Sequence, residues 1–300
     1  MTPYHNPVML QECMEALDIK PGGIYIDVTY GGGGHAKEIL KLLKTGRLIA
    51  FDQDADAQQN LVADDRLTFV RDNFNNLLSN LKQVDALPAD GLLADLGISS
   101  HQIDEPGRGF STRFDADLDM RMDQRTVNTA SHIINTYPVT ALVKLFSAYG
   151  EIRNSRQLAN TIDKARNGGK IISTMQLKNV IRSCYSPEKE NQYLACVFQA
   201  LRIEVNQELN VLKELLQQSP QVLKKGGRLV IIAYHSLEDK LVKNMINTGN
   251  VEGELNKDIY GNVTGKNFMS ITKKPLIPSE IEIANNPRSR SAKLRVAERI

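Results

Sequence analysis

Along the first hundred residues, short apolar runs alternate with amphipathic stretches. Residues 24–30, 47–52, 67–71 and 91–96 are strand-sized runs rich in β-formers. Alternation with helical sequence predicts βαβ units and a parallel sheet, and the carboxyl ends of such strands border the crevice where ligands bind. The residues to inspect are therefore 27–35, Asp52, 72–74 and 95–102.

From about 104 to 123 the chain turns polar, rich in Gly, Asp and Arg, and shows no period, so it reads as a long loop. Residues 128–206 carry helical stretches broken at Pro138, Gly150, Gly168-Gly169 and Pro187, with Leu142, Leu145, Phe146 and Tyr149 at helical spacing. Strand-like sequence resumes at 227–234, 268–272 and 292–297. The pattern predicts an α/β protein: a sheet domain of residues 1–105 and 206–300 interrupted by an inserted helical domain of residues 106–205.

Composition adds bounds. With 300 residues, 41% of them hydrophobic, the chain can bury a large core. Its longest apolar runs, such as 229–233, are far short of a membrane span, and no signal segment precedes them, so a soluble cytoplasmic protein without a membrane partner is expected. Cys13, Cys184 and Cys196 form no C-x-x-C pair and read as reduced structural thiols. His5, His35, His101, His132 and His235 show no zinc spacing, so no metal is expected, and Gly168-Gly169-Lys170 lacks the spacing of a phosphate loop. A net charge of +2 gives no overall pull on nucleic acid, which leaves local patches. Between Pro287 and Ile300 stand five basic residues and one acid, and Arg288, Arg290, Lys293 and Arg295 are the candidate phosphate contacts. Ala292, Leu294 and Val296 alternate there as a buried strand would, so the same segment also fits the sheet.

The run 24–30 leads into Gly31-Gly32-Gly33-Gly34-His35 and then a helical pattern. Glycines let backbone approach a ligand closely, and the opening helical turn presents free amides. Asp52, about 20 residues further on at the end of the next strand, can accept hydrogen bonds from both hydroxyls of a ribose. Loop and acid together indicate a nucleoside cofactor, with NAD and an adenosyl methyl donor both open. Little in the chain suits hydride transfer, whereas Asp95-Leu96-Gly97-Ile98-Ser99-Ser100 ends the fourth strand, where amine methyltransferases place substrate contacts. Phe74, after the third strand, fits an apolar wall for adenine.

Longer strings are more specific. The chain opens on His5-Asn6-Pro7-Val8-Met9-Leu10 and continues with the glycine loop and Asp95-Leu96-Gly97-Ile98-Ser99-Ser100-His101-Gln102. Arg108-Gly109-Phe110-Ser111, Leu118-Asp119-Met120-Arg121-Met122-Asp123, Phe198-Gln199-Ala200-Leu201-Arg202-Ile203 and His235-Ser236-Leu237-Glu238-Asp239 follow, before Asn286-Pro287-Arg288-Ser289-Arg290-Ser291-Ala292-Lys293-Leu294-Arg295. In these the chain resembles, from end to end, the bacterial 16S rRNA (cytosine-N4) methyltransferase family (MraW-like). The resemblance implies a Rossmann-like class I S-adenosylmethionine-dependent methyltransferase sheet with an inserted helical domain. It implies methylation of N4 of cytosine 1402, in customary small-subunit numbering, within 16S rRNA. S-adenosyl-L-methionine would be held by Gly33, Gly34, His35, Asp52, Phe74, Asp95 and Gln102, and the partner would be the small ribosomal subunit. Asp95 with Ser99, Ser100 and His101 would align the amine and accept its hydrogen bonds, and no general base is assigned. Departures from the pattern are Thr112, where an aromatic is frequent, and Tyr234 and Lys240, where Phe and Arg often stand. Two other classes compete: a noncatalytic RNA-binding assembly protein, disfavoured by the intact glycine loop and Asp52, and a methyltransferase of DNA or protein. The Asn/Asp-Pro-Pro-aromatic string common in DNA amine methyltransferases is absent, which favours RNA.

Overall fold

The computed structural model describes residues 7–260 and 264–300, so His5 and Asn6 of the opening string lie outside the described residues. The chain divides into two compact units, Met1–Gly97 with Leu209–Ile300, and Ile98–Glu208.

Among the described residues the first unit is built on seven strands: β1 (Ile24–Asp27), β2 (Arg47–Phe51), β3 (Leu67–Val70), β4 (Ala89–Asp95), β5 (Leu223–Ala233), β6 (Phe268–Ser270) and β7 (Lys293–Arg299). Their order in the sheet is β3-β2-β1-β4-β5-β7-β6. The first five run parallel, and β7 is antiparallel to both β5 and β6. Central strands of such a sheet are covered on both faces, which is why they read as nearly continuous apolar runs. Side chains alternate between two cores: Leu229 and Ile231 join Ile26, Phe51 and Leu92, while Val230 and Ile232 join Tyr25, Leu48 and Leu93. Helices Leu77–Gln83, Glu208–Val222 and Ser236–Thr248 contribute to the first core, and Leu10–Leu17 and Gly34–Leu42 to the second.

The strand order reverses between β1 and β4, and a doubly wound sheet opens its ligand crevice at that point. β1 stops sooner than the apolar run suggested. Val28 donates to the Leu93 carbonyl on one side and Tyr30 to the Phe51 carbonyl on the other, so the chain beyond Asp27 is shared between two neighbours instead of continuing one ladder. β5 starts earlier than expected, because Leu223 already pairs with Ala89 before a register shift brings Arg228 opposite Gly91.

The second unit is helical. Val139–Tyr149, Ser155–Gly168 and Glu190–Asn206 pack around a core that includes Leu142, Phe146, Leu158, Ile162, Val197 and Leu201. Capping marks the starts: the Thr129 hydroxyl accepts from His132 N, and Ser173 forms a capping box with Gln176. The polar stretch that reads as a loop is held by three side chains. Buried Arg108 donates to the carbonyls of Arg121 and Met122, Asp119 grips Arg121 through both oxygens at 2.7 Å, and Asn206 bonds the backbone of Met120 and Met122. Among the described residues no helix is long and apolar enough to cross a membrane.

Candidate functional site

The carboxyl ends of β1, β4 and β5 are joined by one hydrogen-bonded line. Asp27 closes β1 and is fully buried; its Oδ1 accepts from the Thr29 amide at 3.0 Å and from the Thr29 hydroxyl at 3.4 Å. The same hydroxyl accepts from the Asp95 amide at 2.7 Å, and Asp95 Oδ1 accepts from the Tyr234 hydroxyl at 2.8 Å. Asp27 Oδ2 is buried with no hydrogen-bond partner among the described residues. Burial pushes the Asp27 carboxyl up to about 6, opposed by nearby His35 and the Thr29 amide. Burial likewise pushes Asp95 up to about 7, with the Tyr234 bond acting the other way, and it raises the Tyr234 hydroxyl too.

Between β1 and helix Gly34–Leu42 lies the glycine loop. Gly33 has φ +71, and a Cβ there would sit 2.7 Å from the Tyr30 hydroxyl, so both backbone conformation and space require glycine. Gly34 and His35 open the helix, whose first amides have no partner within it. The buried His35 ring contacts the Val8 carbonyl through Nε2 at 3.0 Å. A carbonyl can only accept, so Nε2 carries the hydrogen, and burial holds the imidazole below its ordinary value. The His35 side chain thus fastens the segment before Leu10–Leu17 to the loop, and its backbone is what the helix start offers a ligand.

Asp52 follows β2. Its Oδ2 accepts from the Gly31 amide at 2.8 Å and its Oδ1 from the Asp54 amide at 2.9 Å, and the Gln53 amide also bonds the carboxylate, which fixes it under the loop. Burial pushes it up to about 6, and the amides of Asp54 and Gly31 counteract the rise. Phe74 opens the short turn Phe74–Asn76 after β3 and is partly buried against the first core.

Of the residues expected to hold a cofactor, Gly33, Gly34, His35, Asp52, Phe74 and Asp95 all stand at the carboxyl end of the sheet in the first unit. Gln102 belongs to the second. It lies in helix Ser100–Asp104, where its carboxamide oxygen accepts from Ser99 N at 3.0 Å and its backbone amide donates to the Ser99 hydroxyl at 3.2 Å. Ser99 is thereby the helix cap. His235 caps Ser236–Thr248: Nδ1 accepts from Glu238 N, and the Glu238 carboxylate accepts from the amides of Tyr234 and His235. The string His235-Ser236-Leu237-Glu238-Asp239 is thus a helix start. Its Asp239 takes Arg295 at 2.6 and 3.1 Å, with Lys293 3.9 Å away. Arg295 is therefore a tie between β7 and this helix, whereas Arg288 and Arg290 lie in the turn Pro287–Ser291, with Arg290 exposed. Thr29 and Tyr234 carry the line across the strand ends, and sequence reasoning alone does not single them out as site residues. The one available signal is the hydroxyl at 234, in place of a frequent Phe.

The model of the MraW methylase family matches residues 2–300. The chain belongs to that family. Ribosomal RNA small subunit methyltransferase H of Bacteroides fragilis is 52% identical over 299 residues, which are 99% of this chain and 98% of the relative. The enzyme of that name from Amoebophilus asiaticus is 54% identical over 298 residues, 99% and 96% of the two chains. Among solved structures, an rRNA methylase from Streptococcus thermophilus aligns over 97% of this chain and 95% of its own, with 10% identity and a TM-score of 0.42.

The MraW-family chain is an S-adenosylmethionine-dependent methyltransferase with the expected Rossmann-like sheet. Its residues fit that cofactor on chemical grounds. The helix start and the side-chain-free Gly33 suit close approach of a ligand, Asp52 suits ribose hydroxyls, and the unpartnered Asp27 Oδ2 is an acceptor suited to a cationic donor group.

Proposed function

We propose that this chain methylates N4 of cytosine 1402 in 16S rRNA. The observation that carries the reading is Asp95, a carboxylate at the end of β4 whose backbone is fixed by Thr29 and whose Oδ1 is held by Tyr234. Gly33, Gly34 and the His35 backbone would hold the cofactor with Asp52 on its ribose and Phe74 beside its adenine; Gln102 is assigned to the cofactor by the resemblance alone. S-adenosylmethionine, when bound, supplies an electrophilic methyl group. An exocyclic amine is a poor nucleophile because its lone pair is delocalised into the ring. A carboxylate that accepts the amine's hydrogen bond aligns that lone pair, which is catalysis by positioning and preorganised charge. With its value pushed up to about 7, Asp95 is also matched to take up the amine proton near neutral pH.

The helical unit, sequence positions 106–205 above all, would grip the RNA, and Arg288 and Arg290 would meet its phosphates. Lys293 would assist from beside Asp239, and Arg295 is the weakest member of that set because Asp239 already holds it. A 16S rRNA substrate would put the work in the cytoplasm. The test is a tritium-transfer assay with small-subunit particles, naked rRNA and DNA as acceptors. Label is expected in N4-methylated cytidine from rRNA; label in DNA or protein would overturn the reading.

A further inference from the structure

The short helix Glu280–Asn285 starts from Ser279, whose hydroxyl accepts from the Glu282 amide at 3.1 Å. A glutamate at this third helical position commonly turns back to bond the amide of its own cap. Glu282 does not. Its Oε1 accepts instead from the Met9 amide at 2.7 Å, joining residues 273 positions apart. Met9 is buried and holds a left-handed backbone, φ +51 and ψ +40, which a side chain disfavours and which persists only where the surroundings over-determine it. Two bonds do so: Glu282 takes the Met9 amide, and the His35 ring donates to the Val8 carbonyl. Glutamate and histidine therefore grip one peptide group, Val8–Met9, from its two sides. Pro7 packs on Gly34, where a Cβ would meet its ring at 3.0 Å, so Glu282 is brought to the start of the glycine-loop helix.

The Glu282 charge acts across that end of the sheet. Burial is the main reason why Asp95 stands high and His35 low, and the Glu282 carboxylate adds to the rise at Asp95 and works against the fall at His35. Asp27, Asp95 and Glu282 make no ion pair among the described residues, and Asp27 Oδ2 is buried without a partner. His35 beside them gives its Nε2 hydrogen to Val8 and is held toward the neutral form. Carboxylates without a counter-charge in a largely buried crevice call for a cation. The methyl donor of the family carries two, the sulfonium that gives up the methyl group and the α-ammonium of its amino-acid end, together with a carboxylate that suits the free amides of the helix start.

We propose that Glu282 is a cofactor-binding residue: its Oε2, which bonds no donor among the described residues, receives the α-ammonium group of S-adenosylmethionine while its Oε1 holds the Met9 amide, with Asp27 Oδ2 as a second acceptor. The proposal rests on the methyl donor of the family and not on which nucleic acid is methylated. It gives the residues ahead of Leu10–Leu17 and the helix Glu280–Asn285 a shared part in the cofactor site.

The test is titration calorimetry of the full chain with S-adenosylhomocysteine, which keeps the ammonium and lacks the sulfonium charge, with its analogue lacking the α-amino group, and with 5′-methylthioadenosine, which lacks the whole amino-acid end. Glu282→Gln keeps an oxygen for the Met9 amide and deletes the charge. It should weaken S-adenosylhomocysteine about 10- to 100-fold, the range for one hydrogen bond to a charged group, and leave 5′-methylthioadenosine unchanged. In the wild type, removal of the amino group should cost a similar factor, and the two losses should not add. Circular dichroism establishes that the variant is folded. Equal weakening of all three ligands would make Glu282 only a clamp on Met9 and overturn the assignment, as would a folded variant with unchanged affinity for S-adenosylhomocysteine. A wild type that binds the deaminated analogue as tightly as S-adenosylhomocysteine would overturn it without recourse to any variant.

Discussion

The Tyr234 hydroxyl donates to Oδ1 of Asp95 across 2.8 Å, tying the end of β5 to the end of β4. Because Phe often stands at this position in sequences that the chain resembles, Tyr234→Phe is a conservative probe of the bond. A hydrogen bond to a charged group is worth about 1.5–3 kcal/mol, so methyl transfer should fall about tenfold to a hundredfold, chiefly in kcat. The bond opposes the rise in Asp95, so its loss should also move the acid limb of the pH–rate profile to higher pH. An unchanged profile would mean that the hydroxyl only fills space.

Asp52→Ala removes the acceptor that holds Gly31 and is proposed to hold the ribose. Affinity for the methyl donor should drop at least tenfold by titration calorimetry, equivalent to about 1.4 kcal/mol. Wild-type affinity in this variant would remove Asp52 from the cofactor site.

Stability should depend on pH in a stated direction. Asp27, Asp52 and Asp95 stand at about 6, 6 and 7 in the folded chain, above the ordinary 3.8. Between about pH 4 and 7 the folded state therefore binds more protons than the unfolded one, and their contribution to stability is lost as pH rises through that window. In urea unfolding without methyl donor, Asp95→Asn should gain on the wild type progressively from about pH 4 to 7 and level off above it. A difference that stays constant across that range would contradict the raised value.

The basic segment separates into two roles. Exposed Arg290, changed to Ala, should leave unfolding unchanged, and Arg288→Ala with Arg290→Ala should flatten the salt dependence of rRNA binding by roughly 0.7–0.9 log-log units for each phosphate left without its arginine. Arg295→Ala should instead cost about 1–3 kcal/mol of stability, since Asp239 loses its two short bonds and keeps only Lys293 at 3.9 Å. Unfolding and salt titration of both variants check the division.

Most of the sheet was legible because strands covered on both faces are nearly uniform in apolar content, and Gly33 and Asp52 stood out by their place at strand ends. The end of β1 was not legible, since Val28 and Tyr30 keep an apolar pattern while their amides turn to two different neighbours. Local sequence also hides long-range pairing: nothing near Tyr234 announces Asp95, and nothing near Arg295 announces Asp239. Gln102 shows the same limit from the other side. Its motif was readable, but the helix cap that its side chain completes places it in the second unit.

β4 and β5 are neighbours in the sheet, yet the whole of residues 98–208 separates them along the chain. During synthesis the first four strands would leave the ribosome with one side of β4 unpaired. At translation speeds the missing partner arrives on the order of ten seconds later. The intervening helices rest on contacts close in sequence and can form in that interval, whereas the sheet must wait for its most distant pairing. An open strand edge of this kind invites aggregation, so the period before β5 emerges is when the nascent chain most needs protection.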